Sequence, residues 1–77
     1  MTNYGKIRQA FIDLEIGSTF TRSELMALAQ VSTDMPTRRT ASAIISSLVQ
    51  QDLAIQDGKR NKRVVYKKLL NPKGKRY

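Results

Sequence analysis

The chain has 77 residues, with 14 Lys or Arg against 6 Asp or Glu, a formal net charge of +8 and neither cysteine nor histidine. That length suffices for one small domain. The missing residue types exclude a disulfide framework, a thiolate metal site, a thiol nucleophile, and the commonest general base and metal ligand.

The apolar residues Ile7, Ala10, Phe11 and Leu14 fall at i, i+3, i+4 and i+7, which predicts a helix over about 3–15, with Gly17 suited to the stop. "STF", 18–20, reads as a short extended piece with Phe20 pointing inward. Thr21 opens a second helix. Thr21 and Glu24 have the spacing of a capping box, with Phe20 and Leu25 placed as a hydrophobic staple and Leu25, Leu28 and Ala29 as the buried stripe. "VSTDMPT", 31–37, breaks the pattern; Pro36 suits a turn or a first helical turn, and Asp34 is placed to cap a third helix. That helix is expected over about 37–51, burying Ala41, Ile44, Ile45, Leu48 and Val49. "LAIQ", 53–56, alternates as a half-buried strand should, Asp57-Gly58 begins a turn, and "RVVYKKL", 63–69, is the returning strand. One domain over 1–70 and a basic flexible tail, "NPKGKRY", over 71–77 account for the chain.

Charge is distributed unevenly along these elements. Residues 1–36 carry three basic and four acidic groups, a net of −1, whereas residues 37–77 carry eleven basic and two acidic, a net of +9. Such asymmetry points to nucleic acid or an anionic membrane surface. Within the basic half, "DGKRNKRVVY" sets Lys59, Arg60, Lys62 and Arg63 around Asn61, between two strands. Like charges packed so tightly repel, so either a polyanion compensates or the run is a solvated loop. The weight of charge in this half favours the polyanion.

"FTRSELMALAQ", "RRTASAIISSLVQQDLAIQ" and "KRVVYKKL", taken with the order helix, short strand, helix, turn, helix, hairpin, resemble a winged helix-turn-helix domain over about residues 5–69. The resemblance implies an α+β fold of three helices with a small antiparallel β-hairpin as the wing, and makes the third helix the recognition helix. The sequence departs from the pattern in two places. The turn before the third helix is long and lacks glycine, and Asp52 stands where many relatives place a glycine. In such proteins the wing tip lies along a phosphate backbone or in a minor groove, which gives Lys59, Arg60, Asn61, Lys62 and Arg63 a role in neutralising phosphates.

With Ala41, Ile44, Ile45 and Leu48 buried, steps of 100° place Arg39, Ala43, Ser46, Ser47 and Gln50 on the opposite side of the third helix, flanked by Thr40 and Ser42. Thr37, Arg38 and Arg39 crowd its first turn, where helix and phosphate meet. The candidate DNA-binding set is therefore Thr37, Arg38, Arg39, Thr40, Ser42, Ser46 and Gln50, with the five residues of the hairpin tip. Lys67, Lys68, Lys73, Lys75 and Arg76 supplement them. Only Arg39 and Gln50 are suited to bidentate contacts with base edges; serine and threonine reach phosphates but discriminate bases poorly.

Catalysis is not expected. Asp13 and Glu15 do not share a helix face, Glu24 and Asp34 have capping positions, and Asp57 is a turn residue, so local spacing places no carboxylate pair for acid–base work or a metal. No cofactor is expected. Three tyrosines and two stripe phenylalanines make a poor stacking platform for single strands. Double-stranded DNA is the expected partner, bound mainly through its backbone with weak sequence preference, as an architectural or coating protein would bind it; self-association on DNA is compatible with that role. A size fitting a small phage or plasmid protein accords with this. The alternatives are a small sequence-specific transcriptional regulator, and a winged-helix module gripping an acidic protein; RNA is a weaker third. No apolar run approaches the roughly 20 residues of a membrane span, and "MTNYGKIRQA" lacks the apolar stretch of a signal peptide. The expected location is the cytoplasm, on the nucleoid if the source is bacterial or phage.

Overall fold

A computed structural model describes residues 2–72. Three helices and three strands come in the order α1 (Asn3–Asp13), β1 (Thr19–Phe20), α2 (Arg22–Ala29), α3 (Met35–Gln50), β2 (Ala54–Arg60) and β3 (Arg63–Lys68). The fold is α+β, with a three-stranded antiparallel sheet ordered β1-β3-β2. Lys73, Lys75 and Arg76, the basic part of the expected tail, lie outside the described residues.

Thr2 caps α1, its hydroxyl accepting from the Gly5 N–H at 3.0 Å. The helix stops at Asp13, earlier than the apolar spacing implies, because Leu14 turns extended. Its last carbonyls are taken by a lysine from β3. Lys68 has 0% exposure and its Nζ donates to the carbonyls of Phe11 and Ile12, both at 2.8 Å, and of Leu14. A cation at a helix C-terminus meets both unsatisfied carbonyls and the negative end of the dipole. Lys68 also lies 4.9 Å from the Phe11 ring centroid. Gly17, at φ +94°, then turns the chain into the sheet, donating its N–H to the Lys68 carbonyl at 2.8 Å.

The capping box of α2 forms: the Thr21 hydroxyl accepts from the Glu24 N–H (3.1 Å) and the Thr21 N–H donates to Glu24 Oε1 (2.9 Å). Phe20 and Leu25 are both buried, as a staple requires. The buried stripe differs from expectation. Met26 is 2% exposed and Leu28 is 57% exposed. Leu25 and Ala29 lie close together on the helical wheel, and either Met26 or Leu28 completes an arc of about 100° with them. Packing against α1 and α3 selects the Met26 side.

Asp34 caps α3, accepting from the Thr37 N–H at 3.0 Å, and Pro36 sits in the first turn. The helix therefore begins at Met35, before the expected 37. Ala41, Ile44, Ile45 and Leu48 are buried in one cluster with Ile7, Phe11, Phe20 and Leu25, while Val49 is partly buried against it. Both α2 and α3 end in a Schellman pattern. The Val31 N–H reaches the Met26 carbonyl and the Gln30 N–H that of Ala27; the Leu53 N–H reaches the Leu48 carbonyl and the Asp52 N–H that of Val49. The left-handed residue is Gln30 (φ 58°) in one and Asp52 (φ 60°) in the other. Asp52 thus occupies a position where glycine has no Cβ penalty.

The hairpin turns later than the sequence implies. Arg60 pairs with Arg63 across a two-residue turn of Asn61 (φ 53°) and Lys62 (φ 67°), the type I′ pattern that matches strand twist. Asp57-Gly58 lies inside β2. Gln56 pairs with Tyr66 and Lys59 with Val64, so one extra residue bulges between them, and Gly58 at φ +82° supplies the left-handed conformation a glycine bulge uses. The alternation expected of "LAIQ" is also shifted. Leu53 and Ala54 are buried whereas Ile55 is 50% exposed, because Leu53 closes the end of α3 and the strand starts only at Ala54. Tyr66 stacks on Phe20 at 5.8 Å and joins the sheet to the helical core.

Candidate nucleic-acid interface

Arg38, Arg39, Ser46 and Gln50 are exposed on α3, and Thr40 and Ser42 are partly covered. Thr37 is not available as expected. It is 3% exposed, and its hydroxyl accepts from Asn3 Nδ2 at 3.3 Å, tying α1 to the first turn of α3. At the eighth position before Ile45 it continues the buried stripe by one more turn. The Thr40 hydroxyl donates to the Pro36 carbonyl at 3.1 Å, and the Ser42 hydroxyl accepts from an Arg22 guanidinium N–H at 2.9 Å. Hydroxyls on this face are therefore partly engaged by the protein itself.

The hairpin tip carries Lys59, Arg60, Asn61, Lys62 and Arg63, all exposed. Arg60 and Arg63, directly opposite across the ladder, would repel. Each turns instead to the first turn of α2. Arg60 bonds Glu24 Oε1 at 2.9 Å, and Arg63 donates to the Ser23 hydroxyl at 2.7 Å. Glu24 Oε1 thus serves both the helix cap and the hairpin. An ion pair this open to water contributes at most about 1 kcal/mol, so its role here is to orient the hairpin. Lys59 and Lys62 have no ion pair among the described residues.

Two grooves join these elements. One, of about 320 Å³, runs between α3 and the hairpin, walled by Arg22, Ser23, Ser42, Ser46, Lys62 and Arg63 and floored by Ile45, Val64 and Tyr66. The other opens at the start of α3 among Arg22, Met35, Arg38, Arg39 and Ser42. Arg22 and Ser42 line both, so the two form one trough. Among the described residues, five cations face it (Arg22, Arg38, Arg39, Lys62 and Arg63) and no carboxylate does.

Arg22 is the residue sequence reasoning missed. It comes directly after the N-cap Thr21, so it opens α2, and it meets α3 only because the two helices cross there. Lys68, expected to supplement the basic face, is removed from it by burial. Desolvation pushes its pKa below the ordinary lysine value, and Asp13 partly offsets the shift; the three carbonyls hold the ammonium in place. Lys67 is exposed on the opposite face of the sheet, in the same row as Thr19 and Ile55. Hydrogen bonds from the Thr37 hydroxyl and N–H, with Ser32, hold the Asp34 carboxyl below the ordinary aspartate range.

Among the described residues, no group of three or more His, Cys, Asp or Glu is placed to hold a metal, and no helix is long and apolar enough to cross a membrane. Comparison of the chain with family models, curated proteins and solved structures finds no match in any of the three.

Proposed function

We propose that the chain is a winged-helix domain that binds double-stranded DNA chiefly through its phosphate backbone, with α3 as the recognition helix and the β2–β3 hairpin as the wing. The observation that carries this reading is the trough shared by α3 and the hairpin, which among the described residues gathers five cations without a carboxylate. A polyanion relieves their mutual repulsion and releases counterions on binding, so the charge arrangement gains from duplex what it costs the isolated fold. Arg60 and Arg63 tether the wing to the first turn of α2, and Arg22 of that turn bonds Ser42 of α3, which orients wing and α3 to act on one duplex together.

Base readout is limited by the same structure. With the Thr40 and Ser42 hydroxyls partly engaged within the protein, Arg38, Arg39, Ser46 and Gln50 are the exposed polar side chains of the candidate set on α3. Bidentate readers of guanine and adenine are Arg and Gln, and on α3 these are few: Arg38 and Arg39 near its start and Gln50 at its end. Backbone-dominated binding with weak sequence preference is the consequence, suited to an architectural or coating role. The test is titration with unrelated duplexes, with single strands as controls, at two salt concentrations, then selection from randomised duplexes and competition against unrelated DNA. The reading expects tight duplex binding with a steep salt slope and a preference for the selected site below about 10²-fold. A preference of about 10³-fold or more is the behaviour of an operator-specific regulator. Failure to bind duplex at all would leave the protein-interaction reading.

A further inference from the structure

The groove between α3 and the hairpin is more than a patch of positive charge. Arg22, the first residue of α2, donates one guanidinium N–H to the Ser42 hydroxyl of α3, and Arg63 of β3 donates one to the Ser23 hydroxyl of α2. Each arginine has five N–H donors, so four of each remain for another acceptor. Each serine that accepts from an arginine has its own hydroxyl hydrogen free to donate elsewhere. The N–H groups of Arg22 and Ser23 have no acceptor within the helix, since the capping box occupies only those of Thr21 and Glu24. Both residues, with Lys62, line the groove. Guanidinium forks and serine hydroxyls therefore line one groove beside the N–H groups left free at the start of α2, and among the described residues no carboxylate lines it.

From this arrangement we infer that the groove is a seat for one phosphate group, with Arg22 as its principal ligand and Ser42 as the residue that positions Arg22. The inference rests on the DNA-binding reading for the source of the phosphate, a backbone phosphodiester, but the seat itself stands on the groove's own donors. A guanidinium fork binds two phosphate oxygens at once, which an ammonium cannot reproduce. Because Arg22 faces both grooves, a phosphate held there lies at the junction of the α3 trough and the wing. The backbone of the duplex then passes between the recognition helix and the wing, over the start of α2.

The experiment has two arms. In the first, inorganic phosphate is titrated into the full chain while amide and arginine side-chain resonances are monitored. The seat predicts saturable shifts at Arg22 and Ser23 that disappear in Arg22→Ala. In the second, Arg22→Ala, Arg22→Lys and Ser42→Ala are compared with Lys6→Ala, which removes one exposed charge from α1, in binding to a duplex carrying a single neutral methylphosphonate moved stepwise along one strand. Arg22→Ala should lose about tenfold in affinity and lower the log–log salt slope by about 0.9. It should also become insensitive to the one methylphosphonate position that most weakens the parent. Arg22→Lys should restore the slope but not the affinity, and Ser42→Ala should weaken binding without changing the slope. If Arg22→Ala behaves like Lys6→Ala while the parent binds duplex, the seat is wrong and the DNA-binding reading survives. If phosphate shifts Arg22 and Ser23 but no duplex binds, the seat stands as a free-phosphate site and the DNA-binding reading falls. If neither arm responds, both fall.

Discussion

Lys62 occupies the second position of a type I′ turn at φ 67°, where glycine is the favoured residue and lysine pays for its Cβ. A left-handed conformation costs an L-residue roughly 1–2 kcal/mol, and glycine returns roughly 0.5–1 kcal/mol of that through its greater freedom when unfolded. Lys62→Gly should therefore stabilise the fold by about 0.5 kcal/mol or more. For a domain of this size that raises Tm by about 2–4 °C. The same substitution removes a cation from the groove, so duplex affinity should fall several-fold and the salt slope by about 0.9. Lys62→Ala separates the two effects, since it removes the charge but keeps a Cβ at positive φ: it should bind as weakly as the glycine variant while melting near the parent. Urea denaturation and duplex titration on the three proteins give both readouts. A glycine variant that is more stable yet binds like the parent would show that the strained lysine has no part in holding DNA. One that is less stable would refute the turn geometry itself.

Asp52 is the left-handed residue ending α3, with its carboxylate near the negative end of the helix dipole; Asp52→Gly should raise stability by about 1 kcal/mol in urea denaturation without altering duplex binding. Lys68→Ala should cost roughly 2–4 kcal/mol by the same measurement, because three carbonyls at the end of α1 lose a charged donor and the core loses its aliphatic stem. Asp34 is held charged by Thr37, so its carboxyl should titrate below the ordinary aspartate value by carbon-detected NMR. A folded-state pKa depressed in this way gives stability that is present above the unfolded-state pKa and lost as pH falls through the folded-state pKa. Asp34→Asn should flatten that part of the acid limb, and an unchanged limb would remove Asp34 from the account.

What the sequence displayed and what it concealed divide along physical lines. The Thr21–Glu24 capping box, the Asp34 cap and the Ala41-to-Leu48 stripe were legible because each is written within a short span of chain and depends on local geometry alone. The choice of Met26 over Leu28 was not, since both satisfy the helical period and only the neighbouring helices distinguish them. Asp57-Gly58 is a turn signal and a bulge signal alike, and the deciding feature is the pairing of Gln56 and Lys59 with β3. Lys68 read as one more basic residue because its partners, the carbonyls of α1, lie more than fifty positions away. Arg22 was passed over for the same reason: its place in the trough comes from Ser42, twenty positions on. At the hairpin tip the run of charge located the exposed cations, but pairing to α2 divides them into the tethered Arg60 and Arg63 and Lys59 and Lys62, which have no ion pair among the described residues.

The most direct measurement on the central claim is an amide chemical-shift map of the full chain on addition of a short duplex of arbitrary sequence. The account predicts saturable shifts concentrated in three places: the first turn of α2 around Arg22 and Ser23, the middle of α3 from Arg38 to Ser46, and residues 59–63 at the hairpin tip. All three should weaken together as salt is raised, since one polyanion joins them. Shifts centred on α1, or on the sheet face that carries Thr19, Ile55 and Lys67, would place any DNA elsewhere and contradict the account, and a map unchanged at saturating duplex would end the DNA-binding reading.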